Sequence, residues 1–160
     1  MTTPWELEEI YASIGKAVWH LQFLEDVLVT YVTMRLSIKR PIALEAAMET
    51  LARERKKTLG TLLREAREGG LVQGDVASAF RLLVDERNWL IHRSMHECND
   101  GLHRLVERES FLKRLDDLTD EAIRLKKQLY SDATRWLAEQ GVDVAKAEAL
   151  GEAQFRRLRG

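Results

Sequence analysis

Hydrophobic positions recur along the first part of the chain in alternating steps of three and four. Leu7, Ile10, Ile14, Ala17, Leu21, Leu24, Leu28 and Tyr31 therefore share one stripe of a long helix. Thr3-Pro4-Trp5-Glu6 supplies its start: Thr3 carries a capping side chain, Pro4 suits the first helical position, and Glu6 follows the cap at the spacing of a capping box. Pro41 ends or restarts the run. A shorter pattern follows through Ile42, Met48, Leu51, Leu59, Leu62, Leu63 and Ala66, until Gly69-Gly70 stops it. Gly69 to Asp75 reads as a loop, with Asp75 capping a helix that carries Val76, Phe80, Leu83, Leu90 and Ile91. From His96 to Val106 the period is lost, and Asn99-Asp100-Gly101 has the turn chemistry to close a short hairpin after that helix. Helical spacing returns with Phe111, Leu115, Leu118, Ala122, Leu125, Leu129 and Trp136, ending at Gly141. A weakly amphipathic segment from Asp143 through Ala147 and Leu150 finishes in the basic tip Phe155-Arg156-Arg157-Leu158-Arg159-Gly160, which is expected to fray. These parts predict an all-α, antiparallel bundle of four to five helices. It forms one domain over residues 1–160, with its core at about 5–140 and a short C-terminal helix or tail over 141–160.

Composition narrows the functional classes. With 25 basic and 26 acidic residues the formal charge is -1, which excludes a diffuse basic coat for gripping nucleic acid or anionic lipid but leaves room for a local cationic site. The cations are 17 Arg and 8 Lys, a choice that favours fixed bidentate contacts over general attraction. Cys98 is the one cysteine, so neither an internal disulfide nor a Cys-rich zinc cage is expected, and a reducing, cytoplasmic setting fits. No apolar run reaches the ~18 residues of a membrane span, and the first residues lack the basic start and apolar stretch of a signal peptide. No membrane association is expected.

One polar residue interrupts an apolar stripe. Extending Val76, Phe80 and Leu83 by four lands on Arg87, and three more reach Leu90, so a guanidinium occupies a position the pattern assigns to the core. Asn88 follows it, and His92 lies one helical turn beyond Asn88. Arg87 and His92 diverge by roughly 140° around a straight helix, so a site using both calls for the reach of Arg, a distorted helix end, or a second copy across a two-fold axis. The two-fold axis is favoured. The plainer alternative pairs Arg87 with Glu25 or Asp26 on the first helix and leaves His92 as a half-buried structural histidine.

The stretch Glu86-Arg87-Asn88-Trp89-Leu90-Ile91-His92 resembles the signature of the HEPN superfamily: Arg, then a polar residue that is often Asn, then His four to six positions after the Arg, on a late helix of a small bundle. With Asn required directly after Arg, this composition would produce the triplet by chance only about 0.005 times per chain. The long first helix, the glycine-punctuated middle and the long helix after the motif are also similar to that superfamily, so the resemblance covers residues 5 to 140 and not the last 20.

The resemblance implies a metal-independent endoribonuclease, a toxin or anti-phage effector, whose homodimer brings two motifs into one cleft. Arg87 would brace the phosphate, His92 would serve as acid or base, and Asn88 would orient His92 or hold the phosphate. Arg93, beside the motif, would add a phosphate contact. The partner is then RNA rather than DNA, with an antitoxin or regulatory protein as a further partner, and no cofactor is implied. Catalysis has been lost in many members, so the alternative function is a noncatalytic interaction or ligand-binding module. Where one branch of the superfamily carries a Tyr two residues after the His and is silenced by nucleotide transfer, this chain has Ser94, which puts that mode of control in doubt.

Other candidates are weaker. His92 and His96 stand four apart with Cys98 and His103 near, but the set lacks well-placed further ligands and no metal site is expected. Trp89 and Met95 are expected to cover the helix or a dimer seam rather than to stack on bases. Arg53-Glu54-Arg55-Lys56-Lys57 is the densest basic run, read as a solvated helix start that in a dimer could flank a cleft and meet RNA phosphates.

Overall fold

A computed structural model describes residues 4–38, 43–146 and 149. Helix α1 spans Pro4–Val32 and runs into a π-helical turn, Thr33–Ser37; α2 spans Leu44–Glu54, α3 Leu59–Glu68, α4 Gly74–His92, α5 Ser94–Cys98 and α6 Leu105–Glu139. The fold is all-α: among the described residues there is no strand, and no helix is long and apolar enough to cross a membrane.

The two long stripes make the principal seam. On α1, Ile10, Ala17, Leu21, Leu24 and Leu28 are buried, and on α6 Phe111, Leu115, Leu118, Ala122, Leu125 and Leu129 are buried. Side chains along the seam fix its direction. Glu6 meets Arg108, Lys16 meets Asp116, Lys126 lies over Phe23, and Arg35 of the π-turn lies over Trp136, so partners stand 100 to 103 positions apart throughout. A constant offset means that α1 and α6 run parallel. The expected antiparallel bundle is therefore corrected at its largest interface. The reason lies in connectivity: α4 runs against α6, with Glu86 on Arg114 and Trp89 on Phe111, so the chain has already turned back before α6 begins. Helix α3 packs against both α1 and α4, which closes the core around Leu62, Phe80 and Leu83.

Local chemistry sets the helix ends. Thr58 caps α3 by accepting the Thr61 N–H at 3.2 Å. Gly70, at φ 70°, ends α3 in a left-handed turn with Leu71 N–H on Ala66 O, and Gly141, at φ 79°, ends α6 the same way with Val142 N–H on Leu137 O. Two other expectations change. Asp75 is not the cap of α4, because the helix starts at Gly74 with Gln73 in the cap position, and Asp75 adds its charge to the first turn instead. The expected pattern from Ile42 to Ala66 is broken in two at residues 55–58, and Met48 stays exposed on α2. The hairpin after the motif helix is replaced by α5 and turns: Ser94 Oγ donates to Leu90 O at 2.7 Å and carries the chain past the break at Arg93. The Thr3 cap, the Pro41 break and most of the C-terminal segment with its basic tip lie outside the described residues.

The Arg108–Glu6 pair, at 2.6 Å with side chains only 9% and 13% exposed, locks the starts of α1 and α6 together. Removing one member leaves a charge with little water, so Arg108→Ala is expected to cost roughly 3–5 kcal/mol in urea unfolding. A loss under about 1 kcal/mol would show that the apolar seam alone sets the register.

Candidate functional site

Helix α4 turns its apolar side, Phe80, Leu83 and Leu90, into the core, which leaves Arg81, Asp85, Asn88 and His92 on the opposite, exposed side. Asn88 and His92 are one turn apart there, as i and i+4 spacing requires. Ile91 and Met95 border them, 48% and 69% exposed.

Arg87 stands at the edge between these two sides. Its side chain is 33% exposed rather than enclosed, so the predicted core position is a boundary position. The guanidinium Nε lies 3.5 Å from Glu25 Oε1 of α1, and its Nη1 donates to Asn88 Oδ1 at 3.4 Å. Both contacts are long. His92, the last residue of α4, is exposed, which corrects the alternative of a half-buried structural histidine. Arg93 breaks the helix at φ -125° and is 62% exposed, with Glu97 at 3.8 Å. Within one chain Arg87 and Asn88 are thus joined, while His92 points away from Arg87 by the arc their spacing dictates.

The expectation for Trp89 is sharpened. It does not face a dimer seam but is 1% exposed, with its indole Nε1 donating to Glu97 Oε2 at 2.8 Å and the Arg114 guanidinium 3.4 Å above its ring. Glu86 receives two hydrogen bonds from Arg114, at 2.6 and 2.8 Å. This cluster clamps the end of α4 against α6, and the hydrogen bonds to Glu86 hold the Arg114 guanidinium protonated even more firmly than usual. Sequence reading missed it. Glu86 and Arg114 are 28 positions apart, so no local spacing rule joins them.

Two exposed aromatics also went unread. Trp19 and Phe23 lie off the α1 stripe, four residues apart, with ring centroids at 5.4 Å and planes at 80°. Their signal in the sequence was large aromatics at positions the stripe assigns to solvent. Of the basic run, Arg55 pairs with Asp26 of α1 at 2.8 Å and Lys57 with Glu65 at 2.9 Å, so both point toward α1 rather than into open solvent.

No family model, curated protein or solved structure compared with the chain is similar to it. The functional reading therefore stands on these residues.

Cys98 lines a cleft of about 450 Å³ beside Trp89, Phe111 and Arg114. Burial, and after it the Glu97 carboxylate, pushes its thiol above the ordinary range, while Arg114 works in the opposite direction. Since the thiolate is the reacting form, iodoacetamide at pH 8 should label Cys98 more slowly in the folded chain than in the urea-unfolded chain, read by mass spectrometry. Equal rates would contradict this environment.

Proposed function

We propose that the chain is the subunit of a homodimeric, metal-independent endoribonuclease of HEPN type, with Arg87, Asn88 and His92 of both subunits in one composite cleft. The observation that carries this reading is the outward presentation of Asn88 and His92 on one turn of α4, with the Arg87 guanidinium partly exposed at their edge. Ile91 and Met95 give a second α4 an apolar surface to pack on beside the polar groups. A two-fold axis there answers the arc between Arg87 and His92, because each imidazole can face the partner's guanidinium.

The chemistry follows from the groups. One His92 takes the proton of a ribose 2′-hydroxyl as its oxygen attacks the adjacent phosphorus. The other His92 gives a proton to the departing 5′-oxygen as the P–O5′ bond breaks, leaving a 2′,3′-cyclic phosphate and a 5′-hydroxyl. An imidazole suits both roles near neutral pH. The Arg87 guanidinia carry the charge of the pentacoordinate phosphorane, Asn88 orients the reacting groups, and Arg93 adds an outer phosphate contact. DNA lacks the attacking hydroxyl. The reading includes a cytoplasmic setting and silencing by an antitoxin or regulatory protein that covers the cleft, consistent with a toxin or anti-phage role.

A second reading has its own observation. The Arg87–Glu25 ion pair ties α4 to α1, as a noncatalytic interaction module would use it. The two separate in an RNA cleavage assay run with EDTA: the ribonuclease produces cyclic phosphate ends, and His92→Ala and Arg87→Ala each lose at least 10²-fold in rate with folding intact. Intact RNA in all cases, or a His92→Ala variant that cuts as well as the parent, sinks the ribonuclease and leaves the module.

A further inference from the structure

We infer that the exposed aromatic pair Trp19 and Phe23 on α1 is a stacking platform for single-stranded RNA, placed at the entrance of a groove that ends at Arg87. The inference rests on the ribonuclease reading for the nature of the strand, and on separate residues for its path. Trp19 is 61% exposed and Phe23 46% exposed, an unusual outlay of aromatic surface on a helix whose other side fills the core. The Lys126 ammonium sits 5.3 Å from the Phe23 ring.

The aromatic pair lines an open cleft of about 210 Å³ together with Gln22 and Asp26. Gln22 and Asp26 also belong to the neighbouring cleft of about 280 Å³, whose walls include Glu25, Arg55 and Lys57. Glu25 is the residue that holds Arg87. Aromatic faces, then two cations on the far wall, then the motif arginine thus form one continuous track. The order matches the chemistry of a single strand: bases with free π-faces can stack on Trp19 and Phe23, while phosphates meet Lys126, Arg55, Lys57 and finally Arg87. A duplex keeps its bases stacked on one another and cannot use such a platform. A second copy of the chain would match the aromatics but leave these cations facing their own like, so a polyanion is the better occupant. The carboxylates of Glu25 and Asp26 hold Arg87 and Arg55 in the groove until phosphate replaces them.

The test uses the full chain carrying His92→Ala, so that binding is read without cleavage. A fluorescein-labelled, unstructured 12-nucleotide RNA is titrated by anisotropy, with sedimentation velocity on the same samples. Adding Trp19→Ala is expected to weaken binding about 10-fold, while Trp19→Phe keeps most of it and neither changes the oligomeric state. Tryptophan emission should be quenched on binding in the Trp19 protein and less so in its Phe variant. Unchanged affinity in Trp19→Ala, or no RNA binding by the parent, overturns the platform. So does a dimer that falls apart when Trp19 is lost, since the face is then an interface between copies. Failure of the ribonuclease reading looks different: Trp19-dependent binding with no cleavage by the His92-intact chain leaves the platform standing and removes the nuclease.

Discussion

Everything in this fold follows from the packing of α1 on α6 in the same direction. The two stripes share one phase: with an offset of about 101 positions, Ile10 is level with Phe111, Ala17 with Leu118, Leu21 with Ala122, Leu24 with Leu125 and Leu28 with Leu129. Steps of three and four on both helices keep the seam in contact over its whole length, as in a parallel coiled coil, and each alanine faces a leucine, so the layers fill without voids. Parallel neighbours cannot be joined by a tight hairpin. Helix α1, at ~1.5 Å per residue, is some 43 Å long, so the chain must travel back that distance before α6 can start level with it. The return is made largely by α4.

That constraint places the candidate site. Because α4 is the returning helix, its C-terminal end arrives near the start of α6, where Trp89, Arg114, Glu86 and Glu97 clamp it. The clamp consumes one side of α4 and the core consumes another. What remains is the side with Asn88, His92 and the edge of Arg87. The motif is exposed because the seam and the clamp have used the other surfaces of the same helix. The break at Arg93 then turns α5 away, leaving His92 at a helix end.

The long helices were legible because a period of 3.5 over several turns has few other solutions, and nearly all of the predicted stripe on α1 and α6 is buried. Their relative direction was not legible. Side-chain spacing encodes which face is buried and carries no arrow, and the polar contacts that supply the arrow join residues a hundred positions apart. The loss of period after His92 read as a hairpin because α5 is too short to show one, and its support comes from Ser94 on Leu90 O and Trp89 on Glu97 rather than from an apolar stripe. At the site, the ion pair of Arg87 with Glu25 was among the readings the sequence allowed. The exposure of His92 was not, because a helix end looks the same in sequence whether or not another element covers it.

The ion pair that favours a structural Arg87 also limits how structural it can be. Its Nε–Oε1 distance is 3.5 Å and both side chains are about a third exposed, 33% and 31%, so solvent screens much of the attraction. Pairs of this kind contribute roughly 0–1 kcal/mol, and giving one up costs an incoming anion no more than about a fivefold loss of affinity. A buried, short, bidentate pair would have withdrawn the arginine from any ligand. Arg108 with Glu6, at 2.6 Å and 9% exposed, is such a withdrawn pair in this same fold, and it lies where two helices need locking rather than where a helix face is open. The contrast between the two arginines separates a fastening from a guanidinium held in readiness, and it is the loose one that stands next to Asn88.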